Sequence, residues 1–294
     1  MLLSYNEACA RDCSTLEQDL ALCEQAGFDF IEIRLDMLRD YLTRHTIADL
    51  ADFFRSSRLR PHAFNALYLY PEFLSEHDDP VRQAALLEEF CLGCQVGKAI
   101  GSHHFIIVPP LQRDPKGGPF TGIWEDTFQN CVRILSALSE LAEPYDIKLC
   151  FELVGFDRSS VRTVVQADSI VRAVNQPNVG FVFDSYNLYL YDGSNDFSAL
   201  AQVQPEKIFA IHLMSGDNVP PAQRGQDKRC FCGSGVVDTD AFLRQLKALG
   251  YDGMVSVETF RPEYWQKSPE WVIRQAYSTT HAALQQSGCL NLYF

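Results

Sequence analysis

The sequence predicts an α/β protein built as a single closed (β/α)8 barrel, the architecture known as a TIM barrel. Eight short runs of apolar and β-favouring residues recur along the chain, and amphipathic segments separate them. Such alternation is typical of a parallel sheet with crossover helices, and eight units in 294 residues favour closure into a barrel. A doubly wound open sheet is the alternative, but the Gly-rich turn that usually follows its first strand is absent from the sequence.

The candidate strands are spaced so that each is followed by room for a helix. In chain order they are LLSY near Leu2, FDFIEIRL from Phe28, HAFNAL from His62, HFIIVP from His104, IKLCFEL from Ile147, VGFVFD from Val179, KIFAIHL from Lys207 and MVSVET from Met254. The long connections YPEFLSEHDDP, PPLQRDPKGGPF and SGDNVPPAQRGQDKRCFCGSG all follow strands. We therefore expect them on the C-terminal face of the barrel, where active sites are built.

Local signals mark the ends of several helices between these strands. The stretch Ser14-Thr15-Leu16-Glu17 predicts a capping box for a helix that stops at Gly27. Pro80 suits the first turn of a helix that ends near Gly101. Asp238 is predicted to cap the last amphipathic helix before the eighth strand.

The sequence shows no linker, so we predict one barrel domain over residues 1–288 and a short C-terminal tail over 289–294. The final letters NLYF resemble part of a protease-tag remnant. No apolar run is long enough to cross a bilayer, and the N-terminus lacks a signal-peptide layout. We expect a soluble, cytoplasmic protein without a membrane partner. Its oligomeric state stays open.

Charge and cysteine content narrow the classes of partner. The formal net charge is −13, which disfavours binding to a nucleic-acid backbone. The chain contains ten cysteines, which in a long chain without a secretion signal indicate reduced thiols rather than a disulfide framework.

Four consecutive predicted strands end in a side chain that can bind a metal ion. They are Glu152 in CFELVG, Asp184 in FVFDSYN, His212 in FAIHLMSGD and Glu258 in VSVETF. Taken singly, each carboxylate is more simply interpreted as a cap of the next helix, and the histidine as a core residue. Four at the same rim would bring three carboxylates together without a counter-ion, which is costly in a desolvated site. We therefore predict one divalent cation there.

The donor types suggest both the metal and the chemistry. Three carboxylates and one imidazole suit Mn²⁺, Mg²⁺, Co²⁺ or Zn²⁺. Such an ion would act as a Lewis acid on a carbonyl and ease removal of the proton on the next carbon. Glu152 and Glu258 lie on non-adjacent strands, so they are predicted to face a bound substrate as two catalytic acid–base groups.

The residues just described resemble those of a known family. The stretches YNEA, GFDFIEIR, FNAL, FELVG, NVGFVFDS and VSVETFRPEYW are similar to those of the xylose isomerase-like TIM barrels, the sugar isomerase and epimerase superfamily. Within it the chain most resembles the inosose (2-keto-myo-inositol) isomerases. The resemblance implies that Glu152, Asp184, His212 and Glu258 hold one divalent metal and that the two glutamates serve as acid and base. It also implies an isomerase or epimerase that acts on an inosose or related ketose through an enediolate.

Two positions depart from the family pattern. Asn187 stands where relatives usually carry His, three residues after the sixth-strand Asp. The segment RCFCG keeps Arg229 of the family's Arg-x-Trp-Pro-Gly, but Phe231 and Cys232 replace Trp and Pro. Asn187 and Arg229 are predicted to contact substrate oxygens.

Three further polar residues are candidates for substrate contact. Asn65 and Glu7 end the third and first predicted strands, and Arg34 lies on the second, FDFIEIRL. Glu32 lies two residues before Arg34 on the same strand face, so an ion pair between the two inside the barrel is the favoured interpretation. The other interpretation is that Arg34 contacts the substrate.

Two alternatives to an isomerase remain open. Metal-dependent dehydratases of keto-acids such as 3-dehydroshikimate are similar in this superfamily, but they require cations for the substrate carboxylate. The second alternative is a non-catalytic metal-binding protein of the same superfamily. Asn187 suggests it, because Asn cannot transfer a proton at neutral pH.

Overall fold

The computed structural model describes residues 1–69, 79–112 and 118–291. The long connections after the third and fourth predicted strands, and the end of the C-terminal tail, fall partly outside these ranges. Within them the strands are β1 (Leu2–Asn6), β2 (Phe30–Arg34), β3 (Arg60–Tyr68), β4 (His104–Val108), β5 (Lys148–Glu152), β6 (Val179–Asp184), β7 (Ile208–His212), β8 (Ser215–Gly216), β9 (Arg229–Cys230) and β10 (Met254–Val257).

Eight of these strands close into a barrel, which confirms the predicted fold. Neighbours pair in parallel in the order β1-β10-β7-β6-β5-β4-β3-β2, and β2 closes on β1. All eight predicted strands are present. The segment after β7 also folds back as a short antiparallel hairpin of β8 and β9, which the sequence did not predict.

Helices cover the outside of the barrel. They are α1 (Leu16–Ala26), α2 (Leu35–Leu42), α3 (Ile47–Ser56), α4 (Pro80–Ile100), α5 (Trp124–Ala142), α6 (Val164–Val174), α7 (Ser185–Asp192), α8 (Thr239–Ala248), α9 (Pro262–Trp265) and α10 (Pro269–Gln286). A large apolar cluster joins them to the outer faces of the strands. No helix in the described ranges is long and apolar enough to cross a membrane.

The predicted helix ends are confirmed except at the start of α1, which stops at left-handed Gly27 as predicted. Asp79 caps α4 with Pro80 in its first turn, the helix stops at left-handed Gly101, and Asp238 caps α8. The Ser14 capping box is wrong, because Thr15 caps α1 and accepts a hydrogen bond from the Gln18 amide. The Ser14 hydroxyl instead donates to Asp19 at 2.5 Å.

The barrel interior has an apolar side and a polar side. Small and branched residues of β3 to β7, together with Val154 just after β5, form one inner cluster, which contains Ala63, Ile106, Val108, Cys150, Val154, Val182 and Ala210. Polar residues that point inward from β1, β2, β3 and β10 are equally buried, among them Ser4, Glu32, His62 and Ser256. Buried polar groups need hydrogen-bond partners, so the polar side indicates a site with a chemical role.

The ten cysteines are all free thiols, as predicted. The start of the predicted tail packs on the barrel: Cys289 O accepts a hydrogen bond from the Met1 ammonium at 2.7 Å, and Asn291 N donates to Met1 O at 3.0 Å. A domain boundary at residue 288 stays a prediction.

Candidate active site at the barrel mouth

The four strand-end side chains predicted as metal ligands meet at the C-terminal mouth of the barrel. Glu152, Asp184 and His212 are the last residues of β5, β6 and β7, and Glu258 directly follows β10. One ligand atom from each lies within 4.8 Å of the others, and all four residues are buried. The parallel register explains the convergence, because Asp184 pairs with His212 and His212 pairs with Ser256, two residues before Glu258.

The His212 ring is oriented by a carboxylate that lies deeper in the barrel. Its Nε2 lies 3.1 and 3.2 Å from the two carboxylate oxygens of Glu32, so Nε2 donates to Glu32. Nδ1 lies 3.3 Å from Glu258 Oε2 and 3.6 Å from Glu152 Oε1, but it makes no hydrogen bond of acceptable geometry within the described residues. A buried ring nitrogen without a partner, facing carboxylates, is the arrangement of a metal-ligating histidine with its supporting carboxylate.

Electrostatics at the mouth favour a cation. Burial alone would lower the pKa of His212, but Glu32 and Glu258 outweigh it and raise that pKa well above its ordinary value. Burial also raises the pKa of Asp184, against the opposing effect of Arg229. The carboxylates therefore attract positive charge to the place where their oxygens meet. The donor set of three carboxylates and one imidazole fits one divalent ion.

The two glutamates of the cluster have different surroundings. Glu258 Oε1 accepts from Asn6 Nδ2 at 3.0 Å and Asn65 Nδ2 at 2.8 Å, and its Oε2 accepts from Arg229 Nη1 at 2.8 Å. Burial would raise the pKa of Glu258, but His212 and Arg229 lower it to about 2. Burial raises the pKa of Glu152 to about 7, although His212 opposes the shift. Burial thus favours the protonated form of Glu152, whereas His212 and Arg229 favour the carboxylate form of Glu258.

A chain of side chains joins these two glutamates around the mouth. Asn187 Nδ2 donates to Glu152 Oε1 at 2.9 Å, and Gln226 Nε2 donates to Asn187 Oδ1 at 3.0 Å. Arg229 Nε in turn donates to Gln226 Oε1, while Arg229 Nη1 bridges Asp184 and Glu258. The β8–β9 hairpin holds Arg229 here, because Arg229 pairs with Gly216 just beyond β7. No motif or periodicity marks Gln226, which lies in the long connection before β9.

Asp184 has two functions in this arrangement. Its Oδ1 accepts from the Asn187 amide at 2.7 Å and so caps α7, while Oδ2 accepts from Arg229 at 2.7 Å within the cluster. The helix-cap and metal-ligand interpretations of this residue are thus compatible.

The remaining candidates for substrate contact lie in different places. Asn65 lines the mouth and donates to both Glu32 and Glu258. Arg34 pairs with Asp36 at 2.7 Å, so the predicted ion pair between Glu32 and Arg34 is wrong. Those two side chains diverge because Glu32 bonds His212 and Asn65 across the barrel interior instead.

Glu7 is fully buried and accepts a hydrogen bond from the Arg34 backbone amide at 2.7 Å. It does not line the mouth cavity, because β1 ends at Asn6 and the chain turns there into a short 3-10 helix. The preceding residue, Asn6, reaches Glu258 in its place.

The cavity above the cluster has a volume of about 320 Å³. Its polar side is formed by Asn65, Glu152, Asn187, Gln226, Arg229 and Glu258, and its apolar side includes Val108, Val154, Phe156, Phe260 and Trp265. Arg11 also lines the cavity, and its guanidinium lies 4.6 Å from the centre of the Trp265 ring. A site with convergent polar groups opposite an apolar wall is suited to a small polyhydroxy compound.

Comparisons with known proteins agree with this site. The profile of the xylose isomerase-like TIM barrel family matches residues 20–275. The chain is 36% identical to an inosose isomerase of Bacillus velezensis over 97% of this chain and 98% of that protein. It is also 36% identical to an inosose isomerase of Bacillus subtilis, over 95% of this chain and 96% of that one. The crystal structure of an IOLI protein with a bound zinc atom superposes with a TM-score of 0.88 at 34% identity, over 98% of this chain and 99% of that one.

Proposed function

The chain belongs to the xylose isomerase-like TIM barrel family, and we propose that it is a divalent-metal-dependent isomerase of an inosose such as 2-keto-myo-inositol. The reaction moves a proton on the carbon next to a ketone through an enediolate. The observation that carries the proposal is the buried His212 Nδ1, without a hydrogen-bond partner in the described residues, facing the carboxylates of Glu152, Asp184 and Glu258. Inosose isomerases at 36% identity over nearly the whole chain support the substrate class.

Glu152, Asp184, His212 and Glu258 hold the metal ion in this proposal. The bound ion supplies Lewis acidity to the substrate carbonyl and thereby lowers the cost of removing the neighbouring proton. The zinc atom in the IOLI protein supports zinc as one candidate. Mn²⁺, Mg²⁺ and Co²⁺ suit the same donors.

The protein's own side chains then move the proton and stabilise charge. Glu152 accepts and returns the proton in this proposal, because it lines the cavity and Asn187 fixes one of its carboxylate oxygens. Glu258 is the second acid–base candidate, held in place by Asn6, Asn65 and Arg229. The Arg229 guanidinium lies beside the cluster and offsets negative charge that develops on the substrate.

The cavity also supports a ring-shaped, neutral substrate. The donors and acceptors of Asn65, Asn187 and Gln226 suit hydroxyl groups, and Phe260 and Trp265 provide an apolar surface for the C–H face of a ring. The substrate is thus a keto-cyclitol or a related ketose. A cytoplasmic location is part of the proposal, supported by ten unpaired thiols.

A deuterium-exchange experiment tests this function. The metal-loaded protein is incubated in D₂O with 2-keto-myo-inositol, and proton NMR follows both exchange at the α-carbon and the appearance of an isomer. We expect both, and we expect both to stop when a chelator removes the metal. Absence of exchange with any member of an inosose and ketose panel, in protein that holds stoichiometric metal, would point to a non-catalytic relative.

A dehydratase is the second candidate, because two cations line the cavity. Arg11 is the candidate partner of a substrate carboxylate, because Arg229 is already paired with Asp184 and Glu258. Parallel assays with 3-dehydroshikimate separate the two reactions, since a dehydratase releases water and forms an absorbing enone or aromatic product. Turnover of the keto-acid without exchange into the inosose would favour the dehydratase.

A further inference from the structure

The opposite end of the barrel carries a second, larger cavity. It has a volume of about 730 Å³ and lies at the N-terminal ends of β2, β3, β4 and β10, beside α3 and α4. We call it the base cavity; the residues that matter here are Arg55, Arg60, His62, Lys98, His103 and His104. Its volume lies within the range of roughly 300–1,000 Å³ that is typical of small-molecule sites.

The lining of the base cavity carries one sign of charge. Two arginines, one lysine and three histidines line it, and no carboxylate does so within the described residues. This is unusual in a chain with a net charge of −13. A concave surface lined by one sign of charge concentrates ions of the opposite sign.

Two of these cations lack a carboxylate partner in the part of the chain that the structure describes. Arg60 Nη1 donates only to backbone oxygens, those of Phe54 at 3.1 Å and Ser57 at 2.6 Å. Lys98 Nζ donates to the Pro144 carbonyl at 2.9 Å. Arg55, by contrast, is paired with Asp52 at 2.6 Å. Arg60 and Lys98 therefore keep their charge available to a bound anion.

A buried imidazole lines the same cavity. His62 is 1% exposed, its Nδ1 lies 3.0 Å from Ser4 Oγ, and its Nε2 has no partner in the described ranges. His104 stands next to it, with ring centroids 5.6 Å apart, and its Nδ1 contacts the His62 carbonyl at 3.3 Å. A buried polar atom without a partner is costly, which indicates that a ligand or solvent completes it.

We propose that the base cavity is a binding site for a small phosphate-bearing anion, separate from the mouth of the barrel. Arg60 from β3 and Lys98 from α4 approach from different elements and supply charge-assisted donors. His62 supplies a neutral donor beneath them through Nε2, while His104 donates its own ring proton to the His62 carbonyl. A tetrahedral phosphate offers acceptors in several directions at once, which matches donors that line one cavity from separate elements. A neutral polyol would leave the guanidinium and ammonium charges unbalanced.

Calorimetric titration of the metal-loaded protein with inorganic phosphate and with pyrophosphate tests this site, against chloride at equal ionic strength. We expect saturable binding that weakens by about tenfold in Lys98→Gln, since one charge-assisted hydrogen bond is lost. Arg60→Gln should weaken binding to a similar extent. Lys98 lies at the surface, so its variant keeps the test valid if Arg60→Gln fails to fold.

Arg11→Gln is the matched control, because Arg11 lines the mouth cavity rather than the base cavity. Phosphate affinity unchanged in Arg11→Gln and reduced in Lys98→Gln supports the proposal. Two results overturn it: no saturable binding to the unaltered protein, or binding that Arg11→Gln removes and Lys98→Gln leaves intact. The second result would assign the anion to the mouth.

Discussion

The mouth and the base of this barrel hold buried imidazoles in opposite electrostatic surroundings. His212 at the mouth is 0% exposed and His62 towards the base is 1% exposed. Burial lowers the pKa of both rings, but Glu32 and Glu258 reverse the effect and raise the pKa of His212 well above its ordinary value. At His62 no carboxylate outweighs burial, and His104 and His212 lower that pKa further. The two rings are equally buried, but their pKa values shift in opposite directions. The charges near each ring decide the direction of the shift.

Glu32 lies between these two environments. Its Oε1 is 3.1 Å from His212 Nε2, and its Oε2 is 3.9 Å from His62 Nδ1. Because Glu32 lies closer to His212 than to His62, its negative charge acts mainly at the mouth. The mouth is in this way suited to a cation and the base to an anion, although both ends belong to the same eight strands.

The largest expected effect comes from removing the proton-transfer group at the mouth. Glu152→Gln keeps an oxygen ligand but cannot accept a proton, so we expect solvent exchange into an inosose to fall by about 10³-fold. Glu140→Gln, an exposed site on α5, is the matched control and should retain full exchange. Metal content is measured in both proteins. Near-normal exchange in metal-loaded Glu152→Gln would exclude Glu152 as the base, and the same test applied to Glu258→Gln decides whether two bases act.

Acid should destabilise the base of the barrel through His104. Burial and Lys148 lower the pKa of His104 from 6.5 to about 4. The unfolded chain therefore binds this proton more readily, so stability is intact above pH 6.5 and is lost as the pH falls towards 4. Because the ring is only partly buried, we expect a loss of about 2 kcal/mol. Thermal unfolding of His104→Asn between pH 7 and 4 should show a shallower dependence than the unaltered protein; equal slopes would contradict the assignment.

A change at Glu32 tests the link between the two ends. Glu32→Gln keeps an acceptor for His212 Nε2 but removes the negative charge, so we expect metal affinity to fall by about tenfold. Competition with a chromogenic chelator measures this affinity. Glu7→Gln is a suitable control, since Glu7 is equally buried but contacts the Arg34 amide instead of His212. Equal metal affinity in the two variants would show that Glu32 does not support the ligand.

The same comparison explains which features the sequence predicts. The eight strands and the convergence of the four strand-end side chains follow from local periodicity, because all parallel strands of a barrel end at one rim. The caps of α4 and α8 are equally local signals. The cap of α1 was misassigned by one residue because Ser14 and Thr15 are both competent caps, and only the contact of Ser14 with Asp19 decides between them.

Contacts across the barrel could not be predicted in this way. Glu32 was expected to pair with Arg34, but its partners His212 and Asn65 are distant in sequence and depend on the closed register. Gln226 reaches the mouth because the segment after β7 returns as a hairpin. The base cavity depends on how α3 and α4 pack beside the barrel, which no single segment encodes.

The smallest effect is expected at Gln226, which touches no ligand of the predicted metal directly. Gln226→Leu breaks the chain from Asn187 to Arg229, so Glu152 and Glu258 lose their shared support. We expect kcat to fall by about fivefold, which corresponds to roughly one hydrogen bond, with metal affinity unchanged. Gln223→Leu, exposed in the same connection, should leave kcat intact. A fall in metal affinity that matches the fall in kcat would mean that Gln226 supports the metal site as a whole. A fall in kcat alone would mean that Gln226 orients the proton-transfer group.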